Sequence, residues 1–209
     1  MSRRNSLFSK FLTDEDGTMA IELVLVVPIL TWVLMSTYVY FDLFRNEANA
    51  HRAALTVADM FSREQTPIDS AYLDGALALL RTVTIDDPNP TYRVTVYRYQ
   101  QSDDTYRLVW SRNRGMTPEL DDDLLTALDT GKKLPLLADD DRSILLETRT
   151  VYTPPFDTGI RLLTQFFSKS ETDVRNERGE TVFTTFTVIR PRFTPSLCWE
   201  MTPPDSDLC

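Results

Sequence analysis

Residues 23–41 contain no charged side chain, and only Thr31, Ser36 and Thr37 interrupt them with small polar groups. A helix over those 19 positions, rising about 1.5 Å per residue, is long enough to cross the hydrocarbon layer of a bilayer. A helix buried in a soluble core would show polar positions every third or fourth residue, and this run does not. Tyr38, Tyr40, Phe41 and Phe44 gather at its far end, where an interfacial aromatic belt belongs. The run is therefore expected to be a transmembrane helix. A cleaved secretory signal fits poorly: its apolar region would be shorter and a small-x-small site would follow, whereas this run leads into VYFDLFRNE.

Beyond Arg45 the helical period continues, with Ala50, Ala54, Val57, Ala58 and Phe61 on one side and charged residues between them. The spanning helix is expected to reach about Arg63, stop before Thr66-Pro67, and lay a stripe of small residues on a globular domain. His51, the only histidine, lies in this stretch without a partner triad and reads as a packing or solvent residue. LDGALALL marks a second helix over 68–82, capped by Asp69 or Ser70. The period then changes to that of a strand. TYRVTVYRYQ alternates, with Tyr92, Val94, Val96 and Arg98 facing one way, and TYRLVWSR follows across a hairpin at Ser102-Asp103-Asp104. A short helix is expected over 118–128, with Thr117 as cap, Pro118 in the first turn and acids near its positive end. LLETRTVYT is a third strand, halted by Pro154 and Pro155. IRLLTQFF reads as a short helical piece, residues 168–180 as a loop, and TVFTTFTVIRPRF as a fourth strand ending at Pro191. A long helix followed by an antiparallel sheet of about four strands is an α+β layout, with the helix on one sheet face.

The chain of 209 residues is 42% hydrophobic and 11% aromatic, enough for one domain with a core of its own beside the anchor. Its formal net charge of -9 argues against nucleic acid as a partner, because no excess of Lys and Arg exists to displace counterions. Arg3, Arg4 and Lys10 balance Asp14, Glu15 and Asp16, so the whole negative charge lies after Gly17. Basic residues flank the span on both sides, with Arg45 and Arg52 following it closely, so the positive-inside bias is weak. The short N-terminal arm and the acidic bulk after the span favour an N-in orientation.

Cys198 and Cys209 are the only cysteines, with ten residues between them, Pro203 and Pro204 included. Either they form a disulfide that closes the tail in an oxidising compartment, or they are two unpaired thiols in a frayed end. The closed loop would stabilise by roughly 3 kcal/mol on the chain-entropy model. No G-x-S-x-G, H-E-x-x-H, Walker or dinucleotide pattern occurs, and six glycines leave little for phosphate cradles. The acidic triplets at 121–123 and 139–141 lack the alternation and distal Glu of a calcium loop and read as solvated acids. No catalytic, cofactor-binding or metal-ligating residue stands out, and no cofactor is expected. Carboxylate pairs for glycoside chemistry are defined in space, so the sequence neither favours nor removes them.

Glu22 is the anomaly, a carboxylate one residue before the uncharged run. An acid at the centre of a spanning helix costs about 2.5–3.5 kcal/mol, less near an end, where the side chain can snorkel. A second account follows if the chain is cut after Gly17. Thr18 then carries a free amine, and Glu22, four residues on, lies on the same helix face. A paired buried charge is tolerated where an unpaired one is expensive. The same chain or a neighbouring copy supplies the amine, and a neighbour would set the axial register between subunits. Pro28 removes one helical hydrogen bond, giving either a simple kink or a weak point that lets the helix adjust on leaving the bilayer.

A short polar leader, Gly at the cut and Glu at the fifth mature position resemble the signal of prepilins. The segment FLTDEDGTMAIELVLVVP is similar to TadE-like minor pseudopilins of tight-adherence (Flp-type) pilus systems, with Phe11, Asp16, Gly17, Glu22 and Pro28 in the characteristic places. Leu23 and Thr18 depart from the usual aromatic after the Glu and the usual Ala or Ser after the cut. RPRF at 190–193 and VYTPPF at 151–156 carry a looser likeness into the domain. The resemblance implies a non-enzymatic protein cut between Gly17 and Thr18 by a prepilin peptidase. It implies a single-pass chain of the bacterial inner membrane with a periplasmic domain, acting in biogenesis or initiation of the pilus and possessing a low-copy role given its length. Expected partners are that peptidase, other pilins and pseudopilins, the inner-membrane assembly platform and the lipid bilayer. The corresponding organisation is a leader at 1–17, an assembly helix at 18–44, an α+β domain at 45–197 and a tail at 198–209. The rival reading is an uncleaved membrane-anchored binding or scaffold module; a tethered hydrolase has least support.

Overall fold

The computed structural model describes residues 18–84, 87, 89–130, 134–155, 180–201 and 208–209. The expected leader at 1–17, the helical piece at 160–167 and nearly all of the 168–180 loop lie outside the described residues. Helix α1 (Thr18–Arg63) runs for 46 residues, about 69 Å at the usual helical rise, and passes through Pro28 without ending. Helix α2 (Ser70–Val83) starts where the Asp69 carboxylate accepts the Tyr72 amide at 2.8 Å, so Asp69 is the cap.

Four strands follow: β1 (Thr91–Gln100), β2 (Thr105–Arg114), β3 (Arg142–Tyr152) and β4 (Thr181–Ile189), with helix α3 (Asp122–Thr130) between β2 and β3. The sheet is antiparallel throughout, in the order β2-β1-β3-β4. The fold is α+β, as the change of hydrophobic period indicates.

Two elements begin elsewhere than the sequence suggests. Helix α3 starts at Asp122, four residues later than the expected start at Pro118, and Asp121 rather than Thr117 caps it, its carboxylate accepting the Leu124 amide at 2.8 Å. The intervening residues are held to the sheet instead. The Pro118 carbonyl accepts from Arg93 at 2.6 Å, the Leu120 amide donates to Ser111 Oγ at 3.1 Å, and the Leu120 side chain is buried. Strand β3 begins at Arg142, because Ser143 and Ile144 pair with Tyr97 and Val96.

The sheet has helices on both faces, not one. On the first face, Tyr92, Val94, Val96, Trp110, Ile144 and Leu146 pack against Ala53, Val57, Ala58 and Phe61 of α1 and Leu73, Ala76 and Leu80 of α2. On the second, Tyr97, Tyr106 and Leu145 pack with Leu120, Leu125 and Leu134 in a smaller core. Strand β1 is therefore apolar on both sides for part of its length. A register shift between Val96 and Tyr97 leaves Val109 of β2 unpaired and changes which β2 residues meet each face.

Candidate functional site

The part of α1 ahead of the sheet carries the chemistry to be explained. No residue of 21–35 is buried, and Ile21, Leu23, Val24 and Leu25 stand exposed around the exposed Glu22. Among the described residues Val39 is the first buried position, so the helix changes from an all-round apolar rod to a one-sided packing element near its middle. Thr31 and Thr37 each donate their hydroxyl to the carbonyl one turn back, Val27 and Val33, at 2.8 Å. Such bonds satisfy a hydroxyl inside the helix and make it tolerable in hydrocarbon. This helix is long and apolar enough to cross a membrane.

Gly17 lies outside the described residues, and Thr18 opens α1. Thr18 and Glu22 are four residues apart on one helix, so they share a face. Pro28 lies within the exposed half, six residues past Glu22, with an uninterrupted helix on either side.

Where α1 meets the sheet, a polar knot replaces the apolar surface. Tyr152 Oη, at the end of β3, donates to Asp42 Oδ2 at 2.8 Å, and Asn46 Nδ2 donates to the Asp42 carbonyl at 3.1 Å. Asp87, buried beside them, accepts the Val151 amide at 2.7 Å and the Asn89 amide at 2.9 Å. Asn46, Asn49, Asp87, Thr150 and Phe183 line a cleft of about 20 Å³, room for roughly one water molecule. Sequence reading did not single out Asp42, Asp87 or Tyr152. Asp42 is the first charge after the apolar run, which is the one sequence signal by which it could have been found.

The opposite end of the domain half of α1 is fastened as well. The Arg192 amide donates to the Ser62 carbonyl at 2.8 Å, and the Asp59 carboxylate pairs with both Arg63 and Arg192. Just past the helix, Glu64 accepts from the Gln65 and Thr66 amides and the Thr66 hydroxyl, bonds that hold its carboxyl below the usual range, the Thr66 hydroxyl foremost. Ile68 then takes part in a small ladder, donating its amide to the Cys198 carbonyl and accepting from the Glu200 amide, both at 2.9 Å. Cys198 and Cys209 form a disulfide, and Trp199 and Leu208 exchange two backbone bonds within the loop it closes. Trp110 donates its indole to the Leu197 carbonyl at 2.9 Å, with Trp199 beside its ring and Arg112 stacked over Trp199.

Both acidic triplets serve the fold. Asp121 caps α3, Asp122 accepts the Leu108 amide, Asp139 accepts the Gln101 amide, and Asp140 and Asp141 pair with Arg98 and Arg190. Among the described residues no group of three or more His, Cys, Asp or Glu is placed to hold a metal. His51 is exposed on the outer side of α1.

These features define a class: an α+β domain carried on a helix whose first half is fit for lipid. No protein-family model, curated protein or solved structure matches this chain.

Proposed function

We propose that this protein is a TadE-like minor pseudopilin that acts in the biogenesis or initiation of a tight-adherence pilus. It is cut between Gly17 and Thr18 by a prepilin peptidase and held in the bacterial inner membrane by the first half of α1, with its domain in the periplasm. Its role is structural and not enzymatic, and its partners are other pilins and the assembly platform. The observation that carries this reading is Glu22: a carboxylate on an exposed, otherwise apolar helix, four residues after the amine that cleavage would create. The free amine of Thr18, in the same chain or a neighbouring subunit, neutralises it in the low-dielectric layer. Pro28 and the self-satisfied Thr31 and Thr37 support a helix that lives in lipid and then among other helices.

Mass spectrometry of the membrane form from peptidase-competent cells reads the cut directly. The expected mature chain begins at Thr18, and an intact leader would overturn the proposal. Glu22→Ala is expected to abolish fibre assembly while leaving the domain folded and its disulfide formed. Normal assembly by that variant would favour an uncleaved periplasmic scaffold instead.

A further inference from the structure

The side of α1 that faces away from the sheet is not the polar face expected of a surface helix. Phe41, Phe44, Ala48, His51 and Leu55 follow one another at alternating spacings of three and four residues, and all are exposed. Phe41 and Leu55 are 71% and 57% accessible. This is the repeat of a coiled-coil seam, and it continues upstream through Val27, Leu30, Leu34 and Thr37. It lies opposite the buried Ala50, Ala53 and Val57, and the domain leaves it uncovered as far as Leu55, where it ends because the next position of the repeat, Ala58, is buried. Lipid does not cover its upper end either. Leu55 stands about 16 Å along the helix beyond Phe44, farther than the headgroup layer extends.

We propose that this seam pairs in parallel with α1 of a second copy of the chain. The charges beside it are self-complementary. In the heptad set by the seam, Glu47 falls at the g position and Arg52 at the following e position, the two places that face each other between parallel helices. Among the described residues neither makes an ion pair within the chain. Two copies thus place Glu47 of each opposite Arg52 of the other. Ala48, at the centre, lets the backbones approach. A shared bilayer gives every copy the same direction, so the pair is parallel; to this extent the inference rests on the membrane-spanning reading above, but not on cleavage at Gly17.

Because the two natural cysteines bond to each other, an introduced cysteine is the only free thiol. Full-length chain in its own membranes is oxidised after Ala48→Cys, Leu55→Cys or Thr56→Cys substitution, Thr56 being exposed but off the seam. The expected result is disulfide-linked dimer at 48 and 55, at least fivefold above that at 56. Arg52→Glu should weaken the Leu55→Cys dimer, and adding Glu47→Arg should restore it. Equal yields at 55 and 56, no dimer at 55, or no restoration by the double exchange would each overturn the pairing. Carbonate washing of the same membranes tests the anchor separately. Release of the chain would refute the spanning helix, whereas retained chain without dimer at 55 refutes only the pairing.

Discussion

Arg93 and Glu147 face each other across β1 and β3 at 2.7 Å, both nearly buried, with Arg93 also donating to the Pro118 carbonyl. A paired charge in such a place adds little net stability, but removing one partner strands the other. Glu147→Ala should therefore lower unfolding stability by about 3 kcal/mol, and pairing it with Arg93→Met should recover much of the loss. Denaturant titration of the protein in detergent reads both. Tyr92 offers a pH-dependent counterpart. Its hydroxyl donates to the Leu73 carbonyl at 2.7 Å, and burial raises its pKa well above the ordinary value of 10.0. Burial raises Tyr97 in the same sense, whereas Tyr72, burial acting first and the Glu64 carboxylate second, is pushed up to about 12. A group whose folded pKa is raised stabilises the fold fully below its unfolded value and loses that contribution as pH climbs. Stability should therefore be flat through neutrality and decline above about pH 10, where unfolded tyrosines ionise. Tyr92→Phe should make the alkaline decline shallower in circular-dichroism melts. Glu64 runs the other way: its depressed carboxyl supports the helix-to-helix connector above the ordinary carboxylate value of 4.5 and stops doing so as pH falls through its folded pKa.

Elements show why some of the fold was readable and some was not. The period of α1 placed Ala50, Ala54, Val57, Ala58 and Phe61 on one side, and all five are buried. Alternation placed Tyr92, Val94 and Val96 on one sheet face, and they share a core. Arg98, grouped with them, is exposed because the apolar face ends before it. The second core is not legible in the sequence because Tyr97 and Leu108 meet only through an irregular register, and Leu120, Leu125 and Leu134 are distant in sequence. The later start of helix α3 is not legible because Pro118 and the acids form a good helix start locally, while the Ser111 and Arg93 bonds that hold the segment to the sheet come from strands β2 and β1. The candidate site divides similarly. Glu22, Pro28 and the apolar run depend on local spacing, whereas the Asp42–Tyr152 bond joins residues 110 positions apart. The small side chains of the α1 stripe let the helix lie close on the sheet, so enlarging one is costly. Ala53→Leu should destabilise by about 1–3 kcal/mol through overpacking, measured as a shift in melting temperature.

At the scale of the whole molecule, the closed tail is a distant clamp on the start of the domain. The Cys198–Cys209 bond holds Trp199 against Leu208, and the Trp199 segment in turn straddles Ile68. Cys198→Ser with Cys209→Ser should cost roughly 3 kcal/mol on the chain-entropy model, with the amide of Ile68 losing hydrogen-exchange protection before those of the central strands. The long helix is likewise secured at two points. Tyr152 grips it at Asp42, and Arg192 grips it at Ser62 and Asp59, with the alanine stripe between. The domain half of the helix thus lies against β3 and β4 like a lath fastened at both ends. A tug on the domain along the helix axis must slide that whole contact at once rather than peel it open from one end, so the joint is strongest in the direction in which an anchored protein would be pulled.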